Sequence, residues 1–211
     1  MKRNAYTLFY AAAVGITCAL VLTAWGHYVR PYRRANELGE KEMNILRVLG
    51  VPFEQTASLP QIHETFRTLK EKNTIREDRV DGLTFYIYET SDGEGAVAVP
   101  FAGAGLWGPV RGFLALEPDM RTIRDISFYK QEETPGLGGE IATAAFQNRF
   151  KGTSIVGPKG QPGIRIVSQG EPSAENEVDA ITGATMTSNR VEQMINRTIR
   201  VIVEEVDQDV R

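Results

Sequence analysis

Leu83-Thr84-Phe85-Tyr86-Ile87-Tyr88 is the stretch on which the fold turns. Aromatic and β-branched residues crowd it, as suits a pleated strand, and Ser91-Asp92-Gly93 follows as a turn signal. Gly95 to Phe101, Val110 to Leu116 and Ile123 to Lys130 read the same way, with Glu117-Pro118-Asp119 separating the last two. No interval between these runs can hold a crossover helix, so neighbouring strands should pair antiparallel. The expected fold is α+β: one antiparallel sheet with covering helices.

Upstream, Ala35, Leu38, Met43, Leu46 and Leu49 recur at helical spacing after Pro31, with Glu37, Lys41 and Glu42 toward water, until Gly50 and Pro52 stop the pattern. A second helix is expected over Leu59 to Glu77, with Ile62, Phe66 and Leu69 inward and the charge run Lys70 to Arg79 as a solvated face. Nearer the start, Asn4 to Val29 carries no formal charge apart from titratable His27. Ala5 to Trp25 is largely apolar, and about 20 such residues span a bilayer as a helix. Tyr6, Trp25 and Tyr28 lie near its ends, where amphipathic aromatics favour the headgroup zone. A signal peptide would have a shorter apolar core and a small-residue cleavage site, so one uncleaved transmembrane helix is expected, with Cys18 packed inside it. Lys2 and Arg3 before it and Arg30, Arg33 and Arg34 after it leave its orientation undecided by charge. The division is residues 1–30 as anchor, 31–80 as a helical connecting region and 81–211 as the main domain.

Downstream of the strands come Glu132 to Glu140, a helical stretch Ile141 to Phe150, a loop Gly152 to Gly163 and a short strand Ile164 to Val167. Asp179-Ala180-Ile181-Thr182-Gly183-Ala184-Thr185-Met186-Thr187-Ser188 then leads into a helix over Asn189 to Glu205. A net charge of −3 over 211 residues gives no electrostatic case for nucleic acid. One cysteine and two distant histidines, His27 and His63, exclude an internal disulfide and disfavour a metal centre. Gly157-Pro158-Lys159-Gly160 lacks the spacing of a nucleotide loop, and Gly136-Leu137-Gly138-Gly139 that of a dinucleotide fingerprint. No serine-hydrolase elbow is present, Glu132, Glu133 and Glu140 suit a helix start, and the sequon Asn196-Arg197-Thr198 falls inside a helix.

Three loops of similar character remain. Gly103 to Gly108 holds Trp107 among glycines, Thr134 to Gly139 holds Leu137, and Asp179 to Ser188 is hydroxyl-rich. A helix start favours anions, so the last loop reads either as a hydroxyl-capped turn or as a phosphate seat with Thr185 at its tip. Bare backbone with a few apolar side chains suits a flat heteroaromatic ring, and ordinary core under a loop explains each side chain equally well.

Together these loops resemble those of the membrane-anchored FMN-binding subunits of respiratory redox pumps: the C subunit of the sodium-translocating NADH:quinone reductase and the G subunit of the Rnf complex. The resemblance rests on Gly105-Leu106-Trp107, Gly112 to Leu116, Glu133 to Glu140 and Asp179 to Ser188, and it covers Gly82 to the C-terminus. It implies an electron-transfer subunit with FMN esterified to Thr185, and so makes 81–211 a covalent FMN-binding domain. Thr182, Gly183, Ala184 and Thr187 would shape the phosphate seat, and Asp179 would fix its entry or aid the transferase. Thr134, Leu137, Gly138 and Trp107 would lie along the ring, with Arg165 as a cationic neighbour. Thr182 stands where the family commonly has serine. The implied partners are the other membrane subunits of the complex and a flavin transferase, with the domain on the outer face of the inner membrane. Gly105-Leu106-Trp107 leans toward the sodium pump, and the short chain toward the Rnf type. A non-redox membrane-anchored adapter and a stand-alone flavin reductase are the alternatives from other classes.

Overall fold

The computed structural model describes residues 2–209 apart from 55, 91–94, 169 and 171, and the backbone alone for 2–5 and 207–209. The expected Ser91-Asp92-Gly93 turn lies outside these described residues. Two units form, Met1–Gly39 and Glu40–Arg211.

Helix α1 (Lys2–Leu49) passes through Pro31 rather than restarting after it. Proline's fixed φ is compatible with a helix, and its missing N–H removes one bond, to the His27 carbonyl. In the first unit the helix is long and apolar enough to cross a membrane, and none of that apolar window is buried. The rings of Trp25, Tyr28 and Tyr32 follow one another in tilted contact, at 6.0 and 5.9 Å between centroids.

The second unit is built on a five-stranded antiparallel meander: β1 (Ile75–Val80), β2 (Leu83–Glu89), β3 (Gly95–Ala104), β4 (Pro109–Leu116) and β5 (Ile123–Lys130), paired in sequence order. Both faces of the sheet are covered, because its central strands are apolar on both. On one face Ala96, Ala98, Phe113 and Ala115 meet Ile45, Leu46 and Leu49 of α1 and Ile62 and Phe66 of α2 (Leu59–Glu71). The small alanines of β3 and β4 leave room for these helices. On the other face Val99, Phe101, Leu114, Ile126 and Phe128 meet Val191, Met194, Ile195, Ile199 and Ile202 of α4 (Thr185–Asp209). Gly112 sits in the middle of β4 for reasons of space: a Cβ there would collide with the Phe101 ring and the Ser127 carbonyl.

Between β5 and α4 the expected helix over Ile141 to Phe150 is broken into a 3-10 turn (Gly138–Ala142), α3 (Ala144–Gln147) and a second 3-10 turn (Asn148–Phe150). Thr143 causes the break by capping α3, its hydroxyl accepting from Phe146 N at 3.4 Å. A parallel pair, β6 (Arg165–Val167) and β7 (Glu177–Asp179), lies beside α4. Of that pair β7 has no counterpart in the sequence reading. Side chains of α4 bond the backbone around β6: Glu192 Oε2 accepts from Ile166 N at 2.6 Å, and Asn196 bonds both Ile164 N (2.8 Å) and Ile164 O (2.9 Å).

Three other expectations need correction. The helix expected to reach Glu77 stops at Glu71, and Ile75–Val80 forms β1, joined to β2 by the two-residue turn Asp81-Gly82 with φ of 47° and 79°. Positive φ at both central residues marks a turn matched to strand twist. The charged residues of the run are exposed, as expected, although Arg76 to Arg79 lie on a strand. Glu42, expected toward water, is buried, since its carboxylate meets His63 Nδ1 at 2.8 Å. The last helix begins at Thr185 rather than Asn189.

Candidate functional site

The chain leaves β7 at Asp179 and turns into α4 through a loop held by its immediate surroundings. Arg149 Nη1 donates to the carbonyls of Asp179 (3.2 Å) and Ala180 (2.7 Å), and Ala180 N donates to Val167 O at 2.7 Å. Ile181 N donates to Ser188 Oγ at 3.3 Å, which ties the loop to the helix it feeds. Gly183 takes φ of 77°, open to glycine at little cost. Ile181 and Ala184 are drawn into the core, so Thr182, Gly183, Thr185 and Met186 are left exposed while Thr187 and Ser188 are buried.

Ser188 N donates to Ala184 O at 3.0 Å, which makes Ala184 the residue that caps α4. An alanine has no side-chain oxygen with which to cap the N–H groups of the first turn. Thr185 therefore stands as the first residue of the helix, where partial positive charge is concentrated. Beside it opens a cavity of about 520 Å³ lined by Arg165, Ser168, Thr182, Gly183, Thr185 and Asn189, among others. Arg165 is exposed, and its Nη1 lies 2.9 Å from Glu177 Oε1. Glu177 in turn accepts from Ser173 N (2.7 Å), Ser173 Oγ (3.0 Å) and Ala174 N (3.2 Å). The Ser173 N–H foremost, with the Ser173 hydroxyl, the Ala174 N–H and the Arg165 charge, holds this carboxyl below its ordinary range against desolvation.

The other two loops meet at Glu133. This side chain is buried, and its Oε1 accepts from Leu106 N at 2.7 Å and from Trp107 N at 3.2 Å. Its Oε2 accepts from the Thr187 hydroxyl at 2.7 Å. Three glycines owe their identity to this packing rather than to turn geometry. A Cβ at Gly105 would lie 2.5 Å from Glu133 Oε1, one at Gly138 2.5 Å from Thr187 Oγ1 and 2.7 Å from Glu133 Oε2, and one at Gly108 2.5 Å from Glu132 Oε2. Bare backbone at these positions accommodates carboxylates, which the sequence reading had assigned to the approach of a ring.

Thr182, Gly183, Thr185 and Arg165 share the cavity wall, and Ala184 is the buried cap behind it. Asp179 instead turns its carboxylate to Gly170 N, at 2.6 Å. Thr187 commits its hydroxyl to Glu133. Leu137 packs at Gly183, whose Cβ position is 3.4 Å from Leu137 Cδ2, and Gly138 sits against Thr187. Thr134 closes its own turn, its carbonyl accepting from Leu137 N (3.1 Å) and Gly139 N (2.9 Å). Trp107 is 70 % exposed. Outside α1, the exposed large apolar side chains among the described residues are Leu106, Trp107, Leu137 and Met186, all on the three loops. The sequence reading places Glu133 at a helix start and in the stretch Glu133 to Glu140, and neither shows that its carboxylate joins two other segments of the chain.

The model of the FMN-binding domain family matches residues 105–200, which takes in all three loops. The C subunit of the Na(+)-translocating NADH-quinone reductase of Pasteurella multocida is 42% identical, over 88% of this chain and 85% of that protein. The corresponding protein of Yersinia pestis is 38% identical, over 90% and 86%. Among solved structures, that of the C subunit from Parabacteroides distasonis superposes with a TM-score of 0.68 at 28% identity, covering 83% of this chain and 95% of that one.

Proposed function

The chain belongs to the family of the C subunits of the Na(+)-translocating NADH-quinone reductases, and from that premise we propose that it carries FMN as a phosphoester on Thr185 and relays electrons within such a complex. The observation that carries the reading is the exposed Thr185 hydroxyl, first in α4 and on the wall of a cavity shared with Arg165. A phosphate fits there: the helix start favours an anion, and Arg165 lies on the same cavity wall as a cation. An isoalloxazine fits the neighbouring exposed group of Leu106, Trp107, Leu137 and Met186.

Forming the ester requires an activated flavin phosphoanhydride. The anhydride P–O bond breaks as the bond from Thr185 Oγ to the flavin phosphorus forms, the other half of the anhydride leaves as a phosphate monoester, and the hydroxyl proton passes to solvent base. A flavin transferase would supply this donor and read the exposed loop. Once bound, the flavin supplies the electron chemistry; the protein supplies position and environment, which accounts for the absence of a catalytic acid–base set in this reading. Helix α1 would anchor the domain in the inner membrane with FMN on the outer face, beside the other membrane subunits of the complex. Anchoring raises the effective concentration of donor and acceptor for each other. A covalent link keeps the cofactor where free FMN is scarce.

The test is in-gel flavin fluorescence of the denatured full chain co-expressed with a flavin transferase. A band is expected for the wild type and none for Thr185→Ala. A band that survives in Thr185→Ala moves the attachment elsewhere, and a colourless wild type favours a non-redox adapter.

A further inference from the structure

Glu133 is a buried group that attachment of a flavin does not explain. Removing a carboxylate from water is costly unless donors replace the water, and here the donors come from two distant segments of chain. Leu106 N and Trp107 N come from the β3–β4 loop and the Thr187 hydroxyl from the first turn of α4. None of the ion pairs among the described residues includes it. Gly105 and Gly138 leave the space that its two oxygens occupy. Each of the three segments carries exposed apolar residues: Leu106 and Trp107 on the first, Leu137 just beyond Glu133 itself, and Met186 on the last. One carboxylate therefore joins the three segments that carry those side chains.

The attachment loop, by contrast, has supports of its own. Arg149 holds the carbonyls of Asp179 and Ala180, and Ser188 holds Ile181, independently of Glu133. Resting on the flavin reading above, we propose that Glu133 is a positioning residue: it locks three loops into one apolar rim and so orders the ring of an FMN tethered at Thr185, without a part in the tethering. The two tasks, holding the phosphate and ordering the ring, are then divided between separate hydrogen-bond networks that reach the start of α4 at neighbouring residues, Ser188 and Thr187.

The experiment uses the full chain in detergent, co-expressed with a flavin transferase, as wild type, Glu133→Ala, Glu133→Gln and Thr187→Val. Labelling is read by in-gel fluorescence, folding by thermal unfolding, and ring order by visible circular dichroism of the flavin bands and time-resolved fluorescence anisotropy. Glu133→Ala should keep wild-type labelling while most of the induced dichroism is lost and a fast depolarisation phase appears. Glu133→Gln keeps the volume, can still accept from Leu106 and Trp107, and can donate to Thr187 Oγ1, so it should restore the dichroism. Thr187→Val removes one donor at nearly constant shape and should give a partial loss, and it carries the test with Glu133→Gln if Glu133→Ala does not fold. Unchanged dichroism and anisotropy in folded Glu133→Ala, or in Thr187→Val where the alanine variant does not fold, would overturn the proposal. So would loss of labelling in folded Glu133→Ala, or dichroism in Glu133→Gln that is lost as fully as in the alanine variant. A wild type without a flavin band defeats the attachment reading, and this proposal with it. A labelled wild type with an indifferent Glu133 defeats this proposal alone.

Discussion

Ser127 lies fully buried on β5 with no hydrogen-bond partner for its hydroxyl. Leaving such a group unpaired costs roughly 1–3 kcal/mol, while the hydroxyl contributes little packing volume. Ser127→Ala should therefore raise stability by about 1 kcal/mol, seen as a higher urea midpoint at unchanged slope; a lower midpoint would show that the hydroxyl has a partner in solution. The contrast between Thr185 and Glu133 shows what a sequence reveals at this scale. Thr185 was legible because its chemistry is contiguous: hydroxyls, a glycine and a helix start within ten residues, Asp179 to Ser188. Glu133 was not, because its partners lie 27, 26 and 54 residues away, and only folding brings them together. The contacts that exclude a side chain at Gly105 and Gly138 were hidden for the same reason, since Glu133 Oε1 and Thr187 Oγ1 respectively lie in other segments.

Among elements, β2 to β5 were legible from apolar, aromatic and β-branched runs set off by turn signals, and β1 was not. Its burial pattern keeps only Ile75 fully inside, so four charged residues intervene before Val80 and mimic a helix face. The strand β7 has three residues and is fixed by pairing with β6, too short for any periodicity. Acid should loosen this pair. Glu177 has its folded pKa lowered from 4.5, so its contribution to stability is fully present above pH 4.5 and is lost as pH falls through the lower folded value. A plot of urea midpoint against pH should fall below pH 4.5 in the wild type, and less steeply in Glu177→Gln. Equal slopes would mean that the bonds from Ser173, Ala174 and Arg165 do not persist in solution.

For the whole molecule, the unit Glu40–Arg211 has both of its cores within itself, including Ile45, Leu46, Val48 and Leu49 from the end of α1. Removal of residues 1–39 should yield a soluble domain whose thermal midpoint stays within a few degrees of the full chain in detergent. The shortened helix would begin with Glu40 and Glu42, acidic residues that favour a helix start. A domain that unfolds without its first 39 residues would contradict this. Such a released domain, no longer spaced by a membrane, would meet its own copies freely in solution. An open sheet edge can template further chains, and β1 forms one edge of this sheet. Yet Arg76, Glu77, Asp78 and Arg79 succeed one another along it, exposed. A second β1 docked there would have to desolvate these charges, so the strand that escaped detection in the sequence is also an edge that resists extension by another copy.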